Sequence, residues 1–134
     1  MWNLNETSGT RADISGSNTL SNTGSVGSAT GKISNAALFS GSNHLSISDN
    51  TALSSGDVDF TLSGWVYMGD KSVSRTIASI YLSSTTQIEY LFWYTQSVDR
   101  FQFYVSPSGT GTGTATINAD ALGSPSINTW YYVV

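Results

Sequence analysis

The sequence predicts an all-β fold, a sandwich of two antiparallel sheets, and three observations carry that prediction. No long segment repeats its apolar residues at the 3.6-residue period of a helix. Short runs rich in β-branched and aromatic residues alternate with clusters of Gly, Ser, Asn and Thr. Charged side chains make up only 10% of the 134 residues, so hydroxyl and amide groups must carry the solvent-facing positions.

Each run supports the same class. Trp2-Asn3-Leu4 opens the chain, and the polar stretch after it has room for very short strands near Leu20 and Val26. Ala36-Ala37-Leu38-Phe39 leads into a turn at Ser40-Gly41-Ser42-Asn43. His44 to Ser48 alternates, with Leu45 and Ile47 inward. Asn50 could cap a single helical turn over Thr51-Ala52-Leu53. The strongest strand runs from Asp59 to Met68, with Phe60, Leu62, Gly64, Val66 and Met68 on one face and Trp65 and Tyr67 on the other. Four more are expected at 75–82, 87–95, 100–105 and 113–118, and a last at 129–134. Residues 106–114 read as a low-complexity hairpin tip. The large residues Trp2, Leu38, Phe39, Phe60, Leu62, Trp65, Phe101, Phe103 and Trp130 are expected to be mostly buried.

Composition removes several function classes. The chain has no cysteine, which excludes disulfides, thiolate metal sites and Cys nucleophiles. Its five cations (Arg11, Lys32, Lys71, Arg75, Arg100) are scattered and its net charge is −4, against a nucleic-acid partner. No apolar run approaches the roughly 18 residues of a membrane helix. No basic region followed by an apolar run opens the chain, so no signal peptide is visible in it. A surface of Ser, Thr, Asn and Gly suits a secreted, cell-surface or virion protein.

Four pieces, in order, resemble the laminin-G-like group of concanavalin A-like jelly-roll domains. They are residues 2–10 with Asp13-Ile14-Ser15-Gly16, residues 31–41, Asp59-Phe60-Thr61-Leu62-Ser63-Gly64-Trp65-Val66, and Asn128-Thr129-Trp130-Tyr131-Tyr132-Val133. The last departs from the family's Trp-His-His-Val run by carrying Tyr131-Tyr132. The resemblance implies a two-sheet jelly roll over residues 1–134 as one domain, carbohydrate or protein ligands, and a structural calcium site. In that family the strand at Trp130 continues into a hairpin and further strands. The chain is therefore expected to be a domain cut at its C-terminus, the alternative being a smaller variant closed by the strand near Trp2.

Catalysis finds little support in the residues. A retaining glycosidase needs two carboxyl groups about 5–5.5 Å apart, and the glucanase signature E-x-D-x-x-E is missing. Glu6 and Glu89 are the two glutamates, neither with an acidic partner in sequence. Asp57 and Asp59 sit at a strand entrance, where polar residues are ordinary. His44, the single histidine, follows a turn and reads as exposed. No enzyme activity is expected. Asp13 is the candidate calcium ligand, with carbonyls near Ser40-Gly41 as companions, against the plainer reading of an Asx turn. Tyr90, Trp93 and Tyr94 are the candidate ligand-binding aromatics. Tyr90, Phe92 and Tyr94 share one strand face, Leu91 and Trp93 the other, and one of the two faces must be core. The expected function is a non-catalytic binding module for glycans or adhesion. A structural or protein-interaction domain is the alternative, with a surface protein as partner.

Overall fold

The computed structural model describes residues 1–54, 58–82, 87–110 and 114–134, apart from the side chain of Leu82. The described residues contain strands, bridges and turns and no helix. Thr51-Ala52-Leu53 is a turn. The chain divides into two compact units, Met1–Asn50 and Thr51–Val134.

In the first unit, β1 (Ser21–Thr23) pairs antiparallel with β4 (His44–Ser46), and β2 (Gly27–Thr30) with β3 (Asn35–Leu38). The β2–β3 hairpin closes through the Gly31 N–H donating to the Ser34 carbonyl at 2.8 Å. A Cβ on Gly31 would stand 2.8 Å from the Asn35 backbone, so the turn needs glycine there. Single bridges join Trp2 to Asp13 and Arg11 to Leu20. The centre of this unit is polar. Arg11 is fully buried, and its guanidinium donates to the carbonyls of Gly9, Val26 and Gly27. Asn22 crosses the same gap, donating to Gly9 and Val26 carbonyls and accepting from the Val26 N–H.

The second unit holds two ladders. β5 (Gly64–Tyr67) pairs antiparallel with β10 (Trp130–Val133). The other ladder is a meander of β6 (Arg75–Leu82), β7 (Gln87–Thr95), β8 (Arg100–Val105) and β9 (Ala115–Asn118), in that order. Bulges interrupt β6–β7 between Thr76 and Ala78 and between Ile80 and Tyr81. The core gathers Met68, Tyr94 and Phe101, with Val66, Ile77, Ala119, Tyr131 and Val133 packed against them. Phe101 meets Tyr131 edge-on at 5.7 Å, so the β5–β10 ladder and the meander face one another across this core.

Turn chemistry fixes the connections. Asp99 closes the turn between β7 and β8 at a positive φ of 55°, and Asn128 precedes β10 at 58°; Asp and Asn tolerate this region better than other non-glycine residues. Asp99 accepts hydrogen bonds from Lys71 at 2.8 and 3.0 Å, from the Tyr94 hydroxyl at 2.8 Å and from the Ser124 hydroxyl. One carboxylate thus ties three loops to the end of β7. The start of the 106–110 segment is pinned as well. Ser106 N–H donates to the Glu89 carbonyl, and the Gly109 carbonyl accepts from Ile88 N–H. The rest of the expected hairpin tip and the start of the expected 113–118 strand lie outside the described residues, as does Asp57.

Several expected core positions are exposed instead. Phe101 is 3% exposed, but Leu38 and Phe39 are 50% and 51% exposed, Phe60 40% and Trp65 44%. Trp2, Leu62, Phe103 and Trp130 are half-buried. The reasons are geometric. Leu38 ends a two-stranded hairpin and Phe39 lies beyond it. The expected 59–68 strand is paired only over Gly64–Tyr67, where β10 supplies ladder partners. Phe60 therefore lies ahead of the strand, its ring on Tyr90 and Phe103 at 5.4 and 6.1 Å. Trp65 points to the outer face of β5 and contacts Tyr132 at 5.3 Å.

Candidate functional site

The meander β6–β9 has two faces of different chemistry, and strand alternation assigns them. Ile88, Phe92, Tyr94 and Phe101 are buried. Tyr90 and Phe103 extend this side, Phe103 contacting Phe92 at 6.1 Å. The opposite side carries Leu91 and Trp93 on β7, Gln102 and Tyr104 on β8, and Thr116 and Asn118 on β9. Register sets them in two rows, Trp93–Gln102–Asn118 and Leu91–Tyr104–Thr116. Tyr81 joins the second row, its ring 6.3 Å from Tyr104.

The first row is joined by hydrogen bonds. Trp93 Nε1 donates to Gln102 Oε1 at 2.8 Å, and Gln102 Nε2 donates to Asn118 Oδ1 at 2.7 Å. Two strand spacings of about 4.8 Å give the row a width of roughly 10 Å. At one end of the face Arg100 lies 3.7 Å from Asp120 and donates to the Asp99 carbonyl. Half-buried rings beside amides and a threonine hydroxyl can hold a ligand that has apolar faces and polar edges.

The three candidate aromatics therefore separate. Tyr94 is 1% exposed and its hydroxyl is bound to Asp99. Burial first, then the hydrogen bond to and charge of Asp99, push its phenol up to about 12. Tyr90 shares that face and packs on Phe60 and Phe103. Trp93 alone of the three reaches the outer face. Reading along the chain left Gln102, Asn118, Tyr104 and Tyr81 out of the candidate set. Their signal was alternation with Phe101 and Phe103, but their partners are set by register across strands.

Three other places on the molecule offer less. The outer side of β5–β10 carries Trp65 against Tyr132 and Tyr67 against Trp130, each pair at 5.3 Å, with interplanar angles of 52° and 48°. Each ring leans on its cross-strand partner, the ordinary way that such pairs stabilise a ladder. A groove of about 460 Å³ runs between Thr7–Gly9 and Asn22–Gly27; it is lined by small and polar residues and offers no ring for stacking. Lys71 Nζ stands 2.8 Å from Ser124 Oγ, the pairing of a Ser–Lys nucleophile. The same ammonium, however, donates to both Asp99 oxygens, and Ser124 donates to Asp99 too. An ammonium used only as a donor has no lone pair with which to accept the serine proton.

Asp13, the candidate calcium ligand, sits in a closed loop. Its Oδ1 accepts from the Met1 ammonium at 2.7 Å and from the Ser15 N–H and hydroxyl at 3.1 Å; Oδ2 accepts from Asn18 N–H at 3.2 Å. The ammonium first, then the Ser15 N–H, hold its carboxyl well below the usual range. This is the Asx-turn arrangement, and a calcium ion on Asp13 would have to displace these donors. The Ser40 carbonyl is likewise used locally, accepting from the Asn43 N–H at 3.5 Å. Among the described residues no group of three or more His, Cys, Asp or Glu is placed to share a metal ion.

A family model described as the concanavalin A-like lectin/glucanases superfamily matches residues 39–134. The chain belongs to this superfamily. The match takes in the 59–66 and 128–133 pieces and both ladders of the second unit. A concanavalin A-like domain of this laminin-G type is, in general terms, a binding module. No curated protein and no solved structure matches the chain.

Proposed function

We propose that this chain is a non-catalytic, carbohydrate-binding jelly-roll module of a secreted or surface-displayed protein, binding through the outer face of its four-stranded meander. The observation that carries the reading is the Trp93–Gln102–Asn118 row beside Tyr104 and Tyr81. Pyranose rings present C–H faces that stack on aromatics and hydroxyl edges that pair with amides, and this face offers both. Alternation sets Glu89 and Arg100 at the two ends of this face, and the two rows between them contain no charged side chain, which suits a neutral ligand. The non-catalytic part rests on the carboxylates: Glu6 accepts the Ala12 N–H beside buried Arg11, and Glu89 has no second carboxylate beside it on β6, β7 or β8.

The test is retention on immobilised β-glucan, mannan, galactan and chitin, with released reducing ends measured alongside. Trp93→Ala should weaken retention at least about tenfold, the scale of a lost aromatic contact of 1–2 kcal/mol, with no sugar released by either protein. Retention unchanged by Trp93→Ala would overturn the assignment of the site.

A second reading, a protein-interaction domain, is favoured by the outer face of β5–β10, where Trp65, Tyr67 and Tyr132 are exposed. Exposed apolar patches mark protein contacts as well as ligand sites. If the native chain is retained on none of the four glycans, this reading takes precedence.

A further inference from the structure

We infer that the meander face selects N-acetylated hexosamines, recognising the acetamido carbonyl through Asn118 Nδ2. The inference rests on the carbohydrate reading above and adds the ligand class. It follows from the direction of one hydrogen-bond chain. The indole N–H can only donate. Gln102 must therefore turn its oxygen to Trp93, at 2.8 Å, and its NH₂ to Asn118, at 2.7 Å. Asn118 must in turn present its oxygen to Gln102, which leaves its own NH₂ directed away from the row. Asn118 is exposed, and among the described residues its Nδ2 has no acceptor.

The row thus ends in an N–H donor polarised by the two bonds behind it. A ligand that uses this donor must carry an acceptor about 3 Å away while its ring lies towards Trp93 and Tyr104. A hydroxyl can accept from this donor as well, but an amide carbonyl is the stronger acceptor and, having no hydrogen of its own to place, matches a donor-ended row better. A carboxylate would accept well, but the exposed Asp120 lies just beyond Asn118 and shares the end of the face with Arg100. That cation is already engaged by the Asp120 carboxylate and by the carbonyls of Val98 and Asp99. The whole chain carries a net charge of −4, which further disfavours anions. A neutral carbonyl acceptor on a sugar ring is an acetamido group.

The experiment is calorimetric titration with three tetrasaccharides: β-1,4-linked N-acetylglucosamine, β-1,4-linked glucose and α-1,4-linked galacturonate. The native chain should bind the N-acetylated ligand about tenfold more tightly than the glucose one, the scale of a single net hydrogen bond. Galacturonate should bind most weakly. Asn118→Asp and Asn118→Ala, each first checked for an unchanged melting temperature, should bring the ratio of the first two close to one. Trp93→Ala should weaken binding of both at least about tenfold. Equal affinity of the native chain for the N-acetylated and glucose ligands, with loss in Trp93→Ala, overturns the acetamido assignment and leaves the carbohydrate site standing. Tighter binding of galacturonate also overturns the acetamido assignment. Binding of none of the three, or binding that Trp93→Ala leaves intact, overturns both. If one Asn118 variant does not fold, the other decides the ratio.

Discussion

Arg11 hands its terminal N–H groups to main-chain carbonyls of Gly9, Val26 and Gly27, and its Nε faces Glu6 across 3.9 Å. These carbonyls belong to two segments, so one side chain holds them together. Removing it strands buried acceptors and the Glu6 carboxylate, and Arg11→Ala should cost on the order of 3–5 kcal/mol. Arg11→Lys should recover little, because a lysine lacks the fork that reaches several carbonyls at once. Urea titration of the three proteins checks this; a loss under about 1 kcal/mol would mean that the pocket rehydrates readily. Aromatic positions should separate in the same assay. Phe101→Ala empties the shared core and should cost about 3–5 kcal/mol. Phe60→Ala removes a ring that water already reaches, and should cost roughly half as much or less. Arg11 looked like one of five scattered cations because charge and spacing along a chain do not reveal which loops will close over a side chain.

Among the connecting elements, the loop clamp on Asp99 is sensitive to acid. The Lys71 hydrogen bond first, then the Ser124 and Tyr94 hydroxyls, hold the Asp99 carboxyl well below the usual carboxylate range. Asp70 is lowered from 3.8 to about 2 by the Ser72 hydroxyl and N–H and by Arg75. Both folded values lie below the unfolded ones, so their stabilisation is complete above about pH 4 and is lost as pH falls towards 2 and below. Asp99→Asn should lower the melting temperature at pH 7 and flatten its decline between pH 4 and 2. An unchanged acid limb would show that Asp99 does not hold these loops. Tyr94 has the opposite sign. Its folded value near 12 exceeds the unfolded 10, so its contribution is complete below about pH 10 and disappears as pH rises through 12. Absorbance titration should show a late-ionising phenol that Tyr94→Phe removes. The ends of β6, β7 and β8 were legible at single-residue accuracy, since turn residues bound each run of branched and aromatic side chains. β5 was read too long. Its composition extends to Asp59, but β10 pairs only with Gly64–Tyr67.

For the whole molecule, calcium is the open variable, and Asp13 is where it can be measured. Its present partners are the Met1 ammonium and donors of its own loop, so Asp13→Ala should lower the melting temperature equally in calcium and in chelator. A rise with calcium that the native chain shows and the variant lacks would put the ion on Asp13. Length, charge and alternation alone determined that the chain is all-β and acidic, and four quoted pieces pointed to the superfamily that the match over residues 39–134 supports. Those properties are local: side-chain period, turn residues and composition act within a few positions of one another. Which aromatic face is covered is not local. Tyr94 and Trp93 are neighbours in sequence with equal claims as ligand contacts. The facing β5–β10 ladder takes Tyr94 into the core, and register with β8 and β9 sets Trp93 beside Gln102 and Asn118. Pairing between distant strands made that choice, because only the partner across the gap decides which side of a strand loses its water.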